Sequence, residues 1–376
     1  MSRSTVLHLV QDLPTPHNNV LIAALDRRPE LELRLWYAMS ALSALPWKTR
    51  VGALDGRTVF LSSVGAKWNF VLRFLRSKED VFLFVGYSSF ATRIGLLLSW
   101  LLRRRSLYWT DNPRHSDHSA LRRALRRIAL ALVRKTSSTV FVVGQGTVDV
   151  FRAMRFRESQ IQNLPIFVEL PDAETVSTAR RSARSTYCED EKQVLFISGS
   201  RLVFSKGYDL LIEAVSTLSE RSREIIRLVI VGSGPEAARL DAMISEKHLS
   251  RTIRREEWLE PGEYDQVVRG ADVFVHPARF DAFGGGTLLA MAAGVPVIGS
   301  RGAGTVVDRI IDGVSGFVYD AEDTSLLGKT IDRLAHHREL REQLGRQGRQ
   351  TASQWPPESG AAMIVAAVQK AKGRLS

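Results

Sequence analysis

Short apolar runs rich in Val, Ile, Leu and Phe alternate with helix-length segments along the whole chain, in two separate series. The first series predicts strands at 5–10, 31–37, 58–63, 81–87, 106–110 and 139–144. The second predicts strands at 194–200, 227–234, 252–258, 273–278, 296–300 and 316–320. Parallel neighbours need a long crossover connection, so this alternation predicts doubly wound α/β sheets rather than hairpin-built ones. Residues 171–192 between the series are polar, charged and without a strand pattern. The expected organisation is a first domain over 1–170, a linker over 171–192, and a second domain over 193–355. A C-terminal helix follows within 356–376, after the break at Trp355-Pro356-Pro357.

A length of 376 residues suits two such domains. The single cysteine, Cys188, excludes an intramolecular disulfide and a cysteine-rich zinc site. The N-terminal apolar run is too short for a signal-peptide core. The longest apolar stretch, Gly95 to Leu102, is far below the ~20 residues that span a bilayer. A cytoplasmic protein is expected. The net charge of +12 calls either for an anionic partner, such as nucleic acid, anionic lipid or a phosphorylated substrate, or for a role in solubility. No nucleic-acid-binding motif accompanies it.

In open parallel sheets, ligands bind beyond the carboxyl ends of the strands, so the loops there are the candidate chemistry. The first of these, Gly199-Ser200-Arg201-Leu202, is followed by Lys206-Gly207 at a helix start. Arg201 offers a bidentate fork and Lys206 a point charge for a diphosphate; a pair of solvated surface cations is the plainer alternative. The second loop, Gly232-Ser233-Gly234-Pro235, lacks the third glycine of a dinucleotide fingerprint and reads equally as a strand-to-helix turn. The third runs from His276 through Asp281, Phe283 and Gly284-Gly285-Gly286 to Thr287. Three glycines opening a helix expose its first N–H groups to an anion and let a ligand approach the backbone. A glycine turn that only packs helix on sheet is the rival reading.

The segments SGSRLVFSKGYDLLIEAV, LVIVGSGPEAARL and ADVFVHPARFDAFGGGTLLAMAAGVPVIGSRGAGTVVDRIIDGVSGFVYD resemble, in order and spacing, the C-terminal domain of glycosyltransferase family 4. The resemblance is dense from about Val194 to Leu334 and looser before that. It implies the GT-B fold, with two Rossmann-like domains facing across a cleft and the C-terminal helix returning toward the first. It implies that Arg201 and Lys206 hold the donor diphosphate and that Asp281, at the first glutamate of the family's E-x7-E motif, contacts the transferred sugar. Gly199, Ser200, Gly234, Phe283, Gly284, Gly285, Gly286 and Thr287 fall on the donor side. Retention of anomeric configuration, with no cofactor and no tightly bound metal, goes with this pattern.

Two departures stand out. Leu289 occupies the position of the second glutamate, whose carboxylate accepts hydrogen bonds from the nucleotide ribose; a lost charged hydrogen bond of this kind is worth roughly 1.5–3 kcal/mol. Thr287, Glu256 and Glu257 are candidate substitutes. The loop from Asp12 to Asn19 also lacks the glycines the family places against the diphosphate.

In the first half, Asp111, Asn112, Arg114, His115, Asp117 and His118 follow the strand at 106–110. Asp111 is the match for a catalytic sugar-contacting group, and His17, Asn112, Arg114 and His115 are expected on the acceptor side. A solvated turn capping the next helix is the alternative. Basic charge concentrates at 120–135, where Leu121, Leu125, Ile128 and Leu132 share one helical face and Arg122, Arg123, Arg126 and Arg127 fall away from it. Such a helix either lies on anionic lipid or packs its apolar face on the sheet.

The expected function is a retaining glycosyltransferase moving a sugar from a nucleotide-diphosphate donor to a polysaccharide or lipid-linked acceptor, at the inner face of the cytoplasmic membrane. A partner subunit of the same fold that has lost donor binding, as Leu289 would suggest, is the first alternative. A nucleotide-sugar epimerase is the second.

Overall fold

A computed structural model describes residues 4–38, 56–112 and 120–373. Among these the chain forms two compact units, one of residues 1–167 with 357–376 and one of residues 168–356.

The first unit runs β1 (Thr5–Gln11), α1 (Pro16–Asp26), β2 (Leu31–Tyr37), β3 (Thr58–Phe60), α2 (Val64–Arg76), β4 (Val81–Val85), α3 (Phe90–Leu101), β5 (Ser106–Thr110), α4 (Ala120–Thr136), β6 (Ser137–Val142), α5 (Gln145–Ala153) and β7 (Ile161–Asn163). The second contains α6 (Ala173–Tyr187), β8 (Val194–Gly199), α7 (Tyr208–Ser216), α8 (Glu220–Ile225), β9 (Ile226–Val231), α9 (Ala237–Glu246), β10 (Ile253–Glu256), α10 (Pro261–Arg269), β11 (Val273–His276) and α11 (Gly285–Ala293). It ends with β12 (Val297–Ser300), α12 (Gly304–Arg309), β13 (Phe317–Tyr319), α13 (Thr324–His336) and α14 (Arg338–Ser353), and α15 (Pro357–Lys372) closes the chain as part of the first unit.

All recorded strand pairs are parallel. The strand orders are β3-β2-β1-β4-β5-β6-β7 and β10-β9-β8-β11-β12-β13. Each order reverses direction once, between β1 and β4 in the first sheet and between β8 and β11 in the second. Those reversals are where doubly wound sheets open a crevice at their strand ends.

In the first unit, α2 to α5 cover one face, burying Phe70, Phe74, Leu96, Leu130, Val133 and Phe151 against Val10, Trp36, Phe82 and Phe84. Right-handed crossovers place α1 on the other face, where α15 packs against it and against β4 to β6. A polar network is buried within this core: Trp36 Nε1 donates to His8 Nδ1 at 2.9 Å, and His8 Nε2 lies 2.9 Å from Asp80. His8 is fully buried and stacks on Phe82 at 4.4 Å.

The stretch expected as a linker is a helix of the second unit. Asp172 caps α6 through the Thr175 N–H, and Ala179, Ala183 and Tyr187 form its buried stripe. Small residues let α6 approach α10 closely, so a segment polar in composition still packs. Asp272 fixes it in place with ion pairs to Arg180 and, at 2.8 Å, to Arg184. In α4 the buried apolar positions among the described side chains are Leu130 and Val133, while Leu125 and Ile128 are exposed. No helix among the described residues is long and apolar enough to cross a membrane.

Candidate functional site

At the reversal of the second sheet, a pocket opens at the carboxyl ends of β8 and β11. Its walls include Gly199, Ser200, Lys206, Tyr208, His276, Asp281 and Gly284 to Gly286. Two loops meet there, and backbone hydrogen bonds tie them together. Phe280 N donates to Ser205 O at 2.9 Å, and Arg279 Nη1 donates to Phe204 O at 3.2 Å. Arg279 is itself held by Asp209 at 2.7 and 3.0 Å and by Glu322 at 2.8 Å. Gly207 makes this approach possible: its φ is +68°, and a Cβ there would lie 2.0 Å from the Pro277 carbonyl oxygen.

The loop arrangement delivers Lys206 Nζ to within 2.6 Å of Asp281 Oδ2. The same oxygen lies 3.1 Å from His276 Nε2, and His276 Nδ1 lies 2.8 Å from Thr287 Oγ1. Burial on its own would raise the Asp281 pKa. The hydrogen bond and charge of His276 and the Lys206 ammonium outweigh it and hold the carboxyl well below the usual carboxylate range. Asp281 is therefore an anion at any physiological pH. Its backbone is anchored as well, through Asp281 N to Gly302 O at 2.9 Å and Gly304 N to Asp281 O at 3.0 Å.

Gly284 caps α11 with φ +94°, and a Cβ there would meet His276 Cε1 at 2.1 Å. The glycines thus let α11 start directly against His276, with its first-turn N–H groups at the pocket, an arrangement that attracts anions. Ser200 and Tyr208 also line the pocket, with Oγ and Oη 2.7 Å apart, and Tyr264, which does not line it, donates to Gly199 O at 2.8 Å. A lysine, hydroxyl groups and helix N–H donors converging on one pocket can bind a phosphate group, with Asp281 as the built-in counter-charge that such a ligand would displace from Lys206.

The structure gathers Lys206, Asp281, Gly199, Ser200 and Gly284 to Gly286 at this pocket. Arg201 is exposed, does not line it, and has no ion-pair partner among the described residues. Thr287 and Phe283 are buried beneath it, Thr287 in its bond to His276. Gly234 packs against the Leu202 backbone, and Glu257 is exposed and engaged with Ser233 at 2.9 Å and Arg255 at 3.0 Å. Glu256 pairs with Arg254. Leu289 is half-buried against the core cluster of Val268, Phe274 and Met291.

His276, Tyr208 and Tyr264 were not among the expected site residues. His276 ends β11 five residues before Asp281, a spacing that marks it in retrospect; the two tyrosines carry no local signal. In the first unit, Asp111 and Asn112 follow β5, Asp111 exposed. Arg114 and His115 lie outside the described residues, as does the side chain of His17. No group of three or more His, Cys, Asp or Glu side chains among the described residues could hold a metal ion.

Residues 180–351 match the family model described as Glycosyl transferases group 1. The chain is 38% identical over 123 residues to a GDP-mannose-dependent alpha-mannosyltransferase of Corynebacterium glutamicum, covering 33% of this chain and 27% of that protein. It is 29% identical over 215 residues to a GDP-mannose-dependent alpha-(1-6)-phosphatidylinositol monomannoside mannosyltransferase of Mycolicibacterium smegmatis, covering 55% and 56%. The chain thus spans between about a quarter and just over half of these relatives' lengths. Among solved structures, Anabaena HepE in complex with UDP aligns over 97% of this chain and 100% of its own, with a TM-score of 0.77 and 16% identity. WaaG, a glycosyltransferase involved in lipopolysaccharide biosynthesis, aligns over 95% and 99%, with a TM-score of 0.65 and 17% identity. The fold is that of these two-domain GT-B proteins.

Proposed function

We propose that this chain is a retaining glycosyltransferase of the family 4 type, taking a sugar from a nucleotide-diphosphate donor to a polysaccharide or lipid-linked acceptor. The observation that carries the reading is the Lys206–Asp281–His276–Thr287 chain at the glycine-opened start of α11, in a unit matching the group 1 transferase model.

In this account the donor diphosphate lies against Lys206 and the first-turn N–H groups of α11. Arg201 adds a second cation from the rim, and no bound metal is required for charge neutralisation. The bond from the anomeric carbon to the phosphate oxygen breaks, the nucleoside diphosphate leaves, and an acceptor hydroxyl attacks from the same face, passing its proton to the departing phosphate oxygen. Asp281 orients the sugar. Asp111, with His17, Asn112, Arg114 and His115, serves the acceptor side. The reaction belongs at the cytoplasmic face of the membrane, where a lipid-linked acceptor would be met. A partner subunit without catalytic activity is the less supported reading, because the lysine, aspartate and glycines are all in place.

The test is turnover: nucleotide released from nucleotide-sugar donors in the presence of lipid or glycan acceptors. Release that depends on donor and acceptor and collapses in Lys206→Ala supports the proposal. No release across the donor panel contradicts it.

A further inference from the structure

Helices α2, α3 and α4 lie side by side on one face of the first unit, and their outer surfaces are unusually apolar for a helix layer facing solvent. On α2 the positions Val64, Trp68, Leu72 and Leu75 recur at helical spacing, and all four are exposed, Trp68 at 62%. Its inward face is a different set, built on Phe70 and Phe74. On α3 the outward positions are Phe90, Leu97, Trp100 and Leu101, with Leu101 at 58%. On α4, Leu125 and Ile128 point out, Ile128 at 60%.

These stripes adjoin one another. Lys67 Nζ sits 5.9 Å over the Phe90 ring, joining the starts of α2 and α3. Arg104, just beyond α3, donates to the carbonyl oxygens of Phe74 and, at 2.9 Å, Leu75, joining their ends. Helix α3 packs against α4 on its other side. Three neighbouring helices therefore each turn several large apolar side chains outward, more than the singly scattered apolar residues of an ordinary surface.

Its charge has one sign. None of the three helices contains a single Asp or Glu, whereas they carry Lys67 and Arg76 on α2, Arg93 on α3, and Arg123, Arg127 and Arg134 among others on α4. A second protein copy would bring the same cations against these cations. An anionic bilayer matches both properties, since interfacial Trp and Leu settle at the headgroup boundary while Lys and Arg meet lipid phosphates.

We infer that the outer face of α2, α3 and α4 docks on an anionic lipid bilayer, with Trp68, Trp100 and Leu101 entering the interface and the surrounding cations engaging headgroups. The surface is read from the first unit alone. Its role, presenting a lipid-linked acceptor, rests on the transferase proposal.

The experiment is co-sedimentation of the full chain with phosphatidylcholine vesicles containing or lacking phosphatidylglycerol, at low and high salt. It compares wild type with a Trp68→Ser, Leu72→Ser, Trp100→Ser, Leu101→Ser variant and an Arg123→Gln, Arg127→Gln variant. Oligomeric state is measured in parallel. Wild type is expected to prefer phosphatidylglycerol vesicles at least tenfold. The serine variant should lose at least tenfold in affinity at both salt concentrations, and the glutamine variant chiefly at low salt, where charge is least screened. Tryptophan emission should shift to the blue on vesicles in wild type only. Serine-variant binding equal to wild type, no vesicle binding by wild type, or self-association through this face in place of binding would each overturn the inference. Nucleotide binding by the serine variant, measured separately, should be unchanged, so failure of docking and failure of the transferase proposal are read independently.

Discussion

Lys206 Nζ lies 2.6 Å from Asp281 Oδ2, although one residue follows β8 and the other follows β11. The sheet reversal between those two strands brings the loops together, and the pair stands at the pocket where an anionic ligand would meet the lysine. A diphosphate must compete with Asp281 for that ammonium, so the two cations of the first loop have different surroundings and should behave differently when removed.

Arg201→Ala should lower turnover at least tenfold, about 1.4 kcal/mol in transition-state stabilisation, with no change in melting temperature, because the exposed guanidinium has no structural partner among the described residues. Lys206→Ala should lower turnover by at least the same factor and also lower the melting temperature, because it removes the cation that pairs with the Asp281 carboxylate and leaves only His276 and the Phe283 N–H on it. Kinetics beside thermal denaturation check both. Equal stability of the two variants would deny the structural part of the Lys206 role.

The same ion pair sets a pH dependence. The folded carboxyl of Asp281 titrates below its unfolded value, so the unfolded chain binds the extra proton. The associated stability is fully present above the ordinary carboxylate pKa of about 4 and is lost as pH falls through the folded value. Asp281→Asn should flatten the acid limb of stability against pH. An unchanged acid limb would contradict the assignment.

In the first unit, His8 is held neutral where Asp281 is held charged, yet the stability it contributes is also lost toward acid. Burial outweighs the bond to Asp80 and lowers its pKa, so the unfolded state binds the proton first. Stability should fall as pH drops below about 6.5, because protonating Nδ1 breaks the bond from Trp36. Replacing His8 with Leu should remove that slope between pH 7.5 and 5.5 while lowering stability throughout, measured by denaturant midpoints. Retention of the slope would locate it elsewhere.

Gly284 and Gly262 offer a paired test of the helix start. Gly284→Ala places a methyl 2.1 Å from His276 Cε1 at a φ of +94°, whereas Gly262→Ala in α10 meets nothing within 4 Å. A non-glycine residue forced into such a conformation costs about 1–3 kcal/mol. Gly284→Ala should therefore lose stability and nucleotide affinity together, and Gly262→Ala should lose neither. Thermal shift with and without nucleotide checks both.

Much of the fold was legible from apolar periodicity, since Val- and Ile-rich strands announce themselves. The exceptions have physical causes. The edge strand β7 is three residues with Gln and Asn in it, and its pairing with β6 is tertiary information. Helix α6 is polar by composition, and only its narrow Ala179–Ala183–Tyr187 stripe packs. In α4, Leu125 and Ile128 belong to the face that either meets lipid or packs on the sheet; both are exposed, and Leu130 and Val133 are the apolar residues buried instead. Within the site, Lys206, Asp281 and the glycines were visible as motif residues. The His276 bridge was not, because a histidine at a strand end gains its role only when the loop folds back to set Asp281 and Thr287 against its two ring nitrogens.

Leu289 bears on the donor. Its side chain is half-buried against the apolar core cluster that includes Val268, Phe274 and Met291, so a carboxylate there would be partly desolvated beside apolar groups. Leu289→Glu should weaken nucleotide binding or lower stability. A tenfold gain in nucleotide affinity would show that the pocket merely lacks one acceptor.

The central claim is that the pocket between β8 and β11 binds the diphosphate of an activated sugar donor. Calorimetric titration of nucleoside diphosphates, and of the matching nucleosides, into wild type and Lys206→Ala tests it most directly. Saturable diphosphate binding by wild type is expected, at least tenfold weaker in the variant, with no comparable binding of the nucleosides. Equal diphosphate affinity in a folded Lys206→Ala protein, or no diphosphate binding by wild type, would contradict it.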